Sequence, residues 1–182
     1  FATTLHLGRS NQEKVDFNPA VFSKWIAQCD KDMMGVALGL EFPNKSSGHA
    51  NMIIIDKIRK QVEHFEPHGD SMGSMTEEQN AQLHDDIKGL MRQIGLGAYT
   101  YLPPSEVCPD FSVGSSYTNE FGERVDAKKV GIQGFLNRNR KGSEFAGTCA
   151  IWSLWYLHVR LQSPRLGPTE ALRKAMGMAV DL

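Results

Sequence analysis

The sequence predicts an α+β fold in which a central mixed, mostly antiparallel sheet is flanked by helices. Apolar residues recur with helical spacing in four segments, and a β-branched hairpin lies between the helical segments. The chain has 182 residues and is 41% hydrophobic, which is enough for a substantial core. We therefore expect one domain over residues 1–182.

The first predicted elements are a helix and a buried strand. Asn18 is a suitable N-cap for a helix over residues 18–30, and Pro19 suits its first turn. The apolar run at 34–42 predicts a buried strand, and a loop at 43–48 follows it. The face of the helix that we expect to be buried consists of Val21, Phe22, Trp25, Ile26 and Cys29.

A hairpin follows, with strands at 49–56 and 61–66 and a charged turn at 57–60. If Lys57 pairs with Lys60, Glu66 lies opposite Asn51. Asn51 and His49 share one face of their strand because strand side chains alternate. Glu66 is then diagonal to His49 and within reach of it. A one-residue slip of the register would move Glu66 to the other face.

The remaining elements follow from capping signals and breaker residues. Thr76 and Gln79 form a capping box for a helix that ends near residue 94. Its predicted apolar face is Leu83, Ile87, Leu90, Met91 and Ile94. Further predicted elements are a strand at 98–103, a short strand at 129–133, an apolar helix at 149–162 and a last helix at 169–180. Residues 104–128 are polar and rich in proline and glycine, and they carry no clear pattern.

Composition excludes several classes of function. The formal net charge is -1, so no basic field indicates a nucleic-acid partner. No apolar run is long enough for a membrane span, and no signal peptide is visible. Three scattered cysteines fit neither a disulfide framework nor a zinc motif, so we expect a reducing, intracellular compartment and no metal or cofactor.

Two residues have the chemistry and the position for nucleophilic catalysis. Cys149 opens the apolar helix at 149–162, where the positive end of the helix dipole stabilises a thiolate. His49 starts a strand after a loop, where it can act as the base for that thiol. The plainer alternatives are a buried core cysteine and an ordinary histidine at a strand end.

Two further residues are candidates for supporting roles. A carboxylate at Glu66 would orient the His49 ring, although Asp56 and Asp70 are rivals for this role. The side-chain amide of Gln133 is a candidate donor to an oxyanion. Taken alone, Glu66 fits a solvated carboxylate and Gln133 an ordinary polar residue.

The order His49, Glu66, Gln133, Cys149 resembles that of the ubiquitin-like-protein proteases and the adenovirus endopeptidase, adenain. The segment 65–69 reads FEPHG and is similar to the acid-bearing segment of adenain. The segment 132–134 (IQG) resembles the one that carries the family's oxyanion glutamine, and 147–149 (GTC) resembles the nucleophile segment. The likeness covers roughly 34–162 and is strongest for peptidase-like proteins of large DNA viruses.

The resemblance implies an adenain-like cysteine peptidase fold with the nucleophile at the start of a buried helix. It also implies a peptidase that cuts peptide or isopeptide bonds after small residues, often Gly-Gly. The expected partner is a ubiquitin-like modifier such as ubiquitin or SUMO, or a viral polyprotein, in the host cytoplasm or nucleus or in a virion. Two departures stand out: Ala50 replaces the usual tryptophan after the histidine, and the stretch between Gln133 and Cys149 is longer than usual.

Two other functions remain open at this point. Effector acetyltransferases share a similar His-Glu-Cys order, and Arg138, Arg140 and Lys141 would supply charge for a cofactor phosphate. A solvated loop explains the same three residues. A catalytically silent module that binds ubiquitin-like proteins is the remaining alternative.

Overall fold

The computed structural model describes residues 2–6, 18–41, 49–69, 75–108, 116–118, 124–126, 131–133 and 148–180. The strands in these ranges are β1 (Ala2–His6), β2 (Met33–Glu41), β3 (His49–Asp56), β4 (Gln61–Phe65), β5 (Thr100–Leu102), β6 (Ser116–Thr118) and β7 (Arg124–Asp126). The helices are α1 (Pro19–Gln28), α2 (Glu77–Gln93), α3 (Pro104–Val107), α4 (Thr148–Gln162) and α5 (Pro168–Val180).

The main sheet has five strands in the order β1-β2-β3-β4-β5, and β6 and β7 form a separate pair. The α+β class with a mixed sheet is therefore confirmed. The expectation of a mostly antiparallel sheet is wrong, because β1–β2 and β4–β5 are parallel while β2–β3 and β3–β4 are antiparallel. The parallel pairs arise because a helix separates the two strands of each pair in the sequence.

Both crossover helices pack on the same face of the sheet. The four strands other than β3 run in one direction, and the crossovers β1-α1-β2 and β4-α2-β5 advance across the sheet in the same sense. Right-handed crossovers of this kind place both helices on one face. The apolar side chains buried between α1, α2 and the sheet are Phe22, Ile26, Met34, Val36, Leu38, Leu40, Ile55, Val62, Leu83, Ile87, Met91, Ile94 and Leu96.

The capping residues fix both crossover helices as predicted. The side chain of Asn18 accepts hydrogen bonds from the backbone N–H groups of Ala20 and Val21, at 3.1 and 3.3 Å. Thr76 and Gln79 form the complete capping box at the start of α2. The predicted α1 face is wrong at Val21, which is 60% exposed. The buried positions are Phe22 and Ile26, one turn apart, and Val21 lies about 100° around the helix from Phe22.

The helices α4 and α5 cover the opposite face of the sheet, close to their predicted bounds. Gly35 on β2 lets α4 approach closely, since a Cβ atom there would overlap the side chain of Leu157. Across the described residues, no helix combines the length and apolarity that crossing a membrane requires.

The structure differs from the predictions for β5 and for the described part of residues 129–133. Strand β5 is shorter than the predicted 98–103, because residues 97–99 form a turn. The expected strand at 129–133 is wrong in its described part: Gly131 is irregular, and Ile132 and Gln133 are helical. The backbone N–H of Gln133 bonds to the Pro67 carbonyl at 2.9 Å.

A buried ion pair ties α4 to the hairpin. Arg160 and Glu63 are both fully buried, and the guanidinium meets the carboxylate in two hydrogen bonds of 2.6 and 3.0 Å. The Tyr156 hydroxyl donates to the same carboxylate at 3.2 Å. Burial lowers the pKa of Arg160, but the hydrogen bond and charge of Glu63 outweigh it, so the pKa is raised. Burial, with the Glu63 charge beside it, raises the pKa of Tyr156 well above its ordinary value.

We predict that Glu63→Leu lowers the free energy of unfolding by about 3–5 kcal/mol, because it leaves the Arg160 guanidinium buried without its main counter-charge. Urea unfolding curves of the single variant and of Glu63→Leu/Arg160→Met test this. The double variant removes both charges and should recover most of the loss. Equal destabilisation of the two variants would contradict the prediction.

Candidate active site

The candidate residues gather at one edge of the sheet. His49 begins β3 and pairs with Leu40 near the end of β2. Glu66 comes directly after β4, which is antiparallel to β3. The carboxyl ends of β2 and β4 and the amino end of β3 therefore lie together. Open α/β sheets commonly bind ligands at this edge, beyond the carboxyl ends of parallel strands.

His49 and Glu66 meet in a direct, buried contact. The hairpin register is confirmed, since Asp56 pairs with Gln61 and Met52 pairs with Phe65. Nε2 of His49 lies 2.7 and 2.8 Å from the two carboxylate oxygens of Glu66, and both side chains are buried. Because a carboxylate only accepts hydrogen bonds, Nε2 carries the proton. In the neutral ring, Nδ1 is then the basic nitrogen.

The turn after Glu66 fixes its carboxylate. The backbone N–H of His68 donates to Oε1 of Glu66 at 2.9 Å, and the N–H of Gly69 donates to the Glu66 carbonyl at 3.0 Å. Gly69 has a φ of 117°, a conformation that residues with a side chain rarely adopt. The carboxylate is therefore held by its own turn as well as by His49.

Cys149 lies at the same edge, in the first turn of α4, and is buried. Helix α4 runs in the direction of β3: Ser153 Oγ donates to the Ala50 carbonyl at 3.1 Å, and Arg160 lies 3.5 Å from Asp56 at the far end of the strand. Cys149 is one turn before Ser153 on the same helix face, which places it toward the start of β3. The structure thus connects the cysteine to the histidine strand through Ser153 and Ala50.

Gln133 lies between the acid-bearing turn and the nucleophile helix. Its side-chain Nε2 donates to the Thr148 hydroxyl at 3.0 Å, next to Cys149. On the other side, Gly131 donates its N–H to the His68 carbonyl at 3.1 Å. A Cβ atom at Gly131 would collide with the backbone of Glu66 and Pro67, so only glycine permits this approach. Three segments that are distant in sequence therefore meet here.

Of the two rival carboxylates, the described residues include only Asp56, which lies away from His49. Asp56 lies at the other end of β3, where its side chain accepts a hydrogen bond from the Arg59 guanidinium at 2.8 Å. Asp70 lies outside the described residues, as do Arg138, Arg140 and Lys141, the basic residues of the acetyltransferase alternative. The three cysteines, Cys29, Cys108 and Cys149, form no disulfide.

Sequence reasoning missed a chain of polar side chains beside the site. The Asn51 amide lies 2.8 Å from Nε2 of His64, whose Nδ1 lies 2.9 Å from the Tyr101 hydroxyl, and that hydroxyl lies 3.3 Å from Nδ1 of His84. The register that places Glu66 near His49 also places His64 diagonal to Asn51. The same register argument, applied to His64 instead of Glu66, predicts the contact between His64 and Asn51.

Burial sets the protonation of this chain. Desolvation, with smaller contributions from His84 and His49, lowers the pKa of His64 from 6.5 to about 3. Burial, with the charge of Lys88, lowers the pKa of His84, and burial raises the pKa of Tyr101. His64 is therefore neutral at physiological pH, which lets its Nε2 accept a hydrogen bond from Asn51.

Protein stability should fall as the pH drops below about 6.5. Native His64 stays neutral down to about pH 3, while the unfolded chain takes up a proton near 6.5. Protonation then favours unfolding by up to roughly 1.4 kcal/mol per pH unit in that window. Urea unfolding at several pH values should give a shallower dependence for His64→Gln. The exposed His158→Gln is the matched control and should keep the wild-type slope. If the free energy of unfolding had the same pH dependence in all three proteins, the lowered pKa of His64 would be refuted.

Comparisons with known proteins show one weak similarity. The chain is 24% identical over 135 residues to a protein of Acanthamoeba polyphaga mimivirus that is named an ankyrin repeat protein. The match covers 70% of this chain but only 16% of that protein. No protein-family model matches the chain. No solved structure matches it. Ankyrin repeats are 33-residue units with paired helices, whereas this chain has a five-stranded mixed sheet, so the relative's name does not describe the present fold.

Proposed function

We propose that the chain is a cysteine peptidase with an adenain-like fold, in which Cys149 is the nucleophile and His49 the base. Glu66 orients the histidine, and Gln133 helps to stabilise the oxyanion. The observation that carries the proposal is the buried contact of 2.7 and 2.8 Å between His49 Nε2 and the Glu66 carboxylate. This contact fixes one tautomer of a histidine at the edge of the sheet where the cysteine-bearing helix begins.

The proposed reaction uses each of these groups in turn. His49 Nδ1 takes the proton of the Cys149 thiol, and the thiolate attacks the substrate carbonyl. The helix dipole of α4 favours the thiolate, and the Glu66 carboxylate favours the imidazolium. The protonated histidine then gives its proton to the leaving amine, and water hydrolyses the thioester to regenerate the thiol.

Gln133 is suited to the oxyanion role by its place beside the nucleophile. Its amide donates to Thr148, the residue before Cys149, so a small rotation would redirect the same N–H to an oxygen near the thiol. Backbone N–H groups in the first turn of α4 are further donors, because the first N–H groups of a helix have no partner within it.

The proposed substrates carry small residues, Gly-Gly in particular, before the cut bond. Cys149 and His49 are only 5% and 3% exposed, which agrees with the narrow substrate channel that the resemblance implies. The resemblance to ubiquitin-like-protein proteases and viral endopeptidases adds the class of substrate, a ubiquitin-like modifier or a viral polyprotein. The mimivirus origin of the matched relative agrees with a viral setting. The three cysteines form no disulfide, which agrees with a reducing intracellular compartment.

We predict that an activity probe made from ubiquitin or SUMO, with an electrophilic C-terminus, labels Cys149 alone. The change Cys149→Ser should abolish labelling and peptide hydrolysis, because a hydroxyl is a far weaker nucleophile than a thiolate. Gel shift and mass spectrometry give the site, and circular dichroism checks the fold.

The matched controls are Cys29→Ser and Cys108→Ser, which should both be labelled normally. Labelling that survives in Cys149→Ser would refute the nucleophile assignment. If the folded protein binds acetyl-coenzyme A and is not labelled by the probes, it is an acetyltransferase instead. If it binds the modifiers but is not labelled, it is a catalytically silent binding module.

Glu66→Gln should reduce hydrolysis by about a hundredfold or more, by analogy with triad carboxylates. The amide can offer an N–H to His49 Nε2, which favours the wrong tautomer, and it no longer stabilises the imidazolium. Steady-state rates over a range of pH values measure this effect. Asp70→Asn is the control and should be close to wild type. A severe loss of activity in Asp70→Asn, together with near-normal activity in Glu66→Gln, would show that Asp70 rather than Glu66 orients His49.

A further inference from the structure

His68 brings a second imidazole to the pair formed by His49 and Glu66. The two histidine rings stack with centroids 5.4 Å apart and an interplanar angle of 26°. One ring nitrogen of each histidine and one carboxylate oxygen of Glu66 all lie within 4.8 Å of one another. All three side chains are buried. Neither the orienting role of Glu66 nor the base role of His49 requires the side chain of His68.

Two imidazoles and one carboxylate form a donor set that suits zinc. Zinc binds imidazole nitrogen at about 2.0–2.1 Å and carboxylate oxygen at about 2.0–2.2 Å, so two donors on a tetrahedral ion lie about 3.4 Å apart. The contact of 2.7 and 2.8 Å between His49 Nε2 and the Glu66 carboxylate must open slightly to admit an ion. The other donor distances, which are at most 4.8 Å, must close by at most about 1.4 Å to reach that spacing. The turn that carries His68 is held against Glu66 by the His68 N–H and the Gly69 N–H.

We propose that His49, Glu66 and His68 form a binding site for a divalent transition metal, with zinc as the ion that fits these ligands best. Zinc would occupy the place of the proton between His49 Nε2 and the Glu66 carboxylate. Three protein ligands leave one coordination position open for water or another donor.

Metal binding at this place has a consequence for catalysis that rests on the proposed peptidase function. With Nε2 and the carboxylate both on the ion, Glu66 no longer accepts the proton of His49. The proton that leaves Nε2 moves to Nδ1, as in other metal-bound neutral imidazoles, so Nδ1 can no longer accept the proton of the Cys149 thiol. Zinc is therefore a reversible inhibitor of the proposed peptidase. His68 supplies the third ligand, which together with His49 and Glu66 completes the metal site.

The binding test uses the full chain carrying Cys149→Ser, so that its result does not depend on the proposed nucleophile. Metal-free protein is titrated with Zn²⁺ in competition with a chromogenic chelator. We expect one site, with affinity reduced at least tenfold by His68→Phe, which keeps an aromatic ring on His49 but removes the ligand nitrogen. Glu66→Gln should weaken binding as well. His158→Phe, which changes an exposed histidine on α4, is the matched control and should bind like its parent.

Equal zinc affinity in the parent and in His68→Phe, with both proteins folded by circular dichroism, would overturn the site. The proposal would also fail if the parent protein had no zinc site tighter than those that remain in His68→Phe. Both results stand whether or not the chain hydrolyses peptides.

A second measurement tests the inhibitory consequence in the chain with its native Cys149. Hydrolysis, if found, should fall with added Zn²⁺ and return with a chelator. His68→Phe should need at least tenfold more zinc for half-inhibition, relative to its own zinc-free rate. Zinc that binds at the site without slowing hydrolysis would reject the inhibition while leaving the site itself in place.

Discussion

The register of the β3–β4 hairpin decides which side chains meet on each face of the sheet. With Met52 opposite Phe65, Glu66 falls beside His49 and Glu63 points to the other face. There Glu63 receives Arg160 from α4 in two hydrogen bonds. A slip by one residue would separate both pairs at once, because alternate residues of a strand face opposite sides. One pairing choice therefore supports both the candidate site and the attachment of the helix that carries Cys149.

The two layers of helices, one on each face of the sheet, contribute differently to the candidate site. Helices α1 and α2 cover one face through an apolar core and bring no candidate catalytic residue. Helix α4 lies on the other face and runs along β3, so that its first turn reaches the sheet edge where His49 begins. Gly35 on β2 permits this close packing. The position of the cysteine thus depends on contacts along the whole length of the helix.

Local signals in the sequence were sufficient for much of this structure. The cap at Asn18, the capping box at Thr76 and the hairpin turn each depend on neighbouring residues, and the sequence predicted all three. The position of Glu66 followed from the turn and from strand alternation. The sequence alone did not predict β1, nor the helical backbone of Ile132 and Gln133, because both depend on partners far away in the chain. The buried pair of Arg160 and Glu63 was missed for the same reason.

The separations in sequence between the contacting residues imply an order of assembly. His49 and Glu66 are 17 residues apart, within one hairpin, whereas Ser153 and Ala50 are 103 residues apart. Local pairings close small loops and form early, while distant ones must overcome a larger loop entropy. During synthesis on the ribosome, the hairpin is complete long before α4 has been made. The pair of His49 and Glu66 therefore belongs to a hairpin that can form before the ribosome has added Cys149 to the chain.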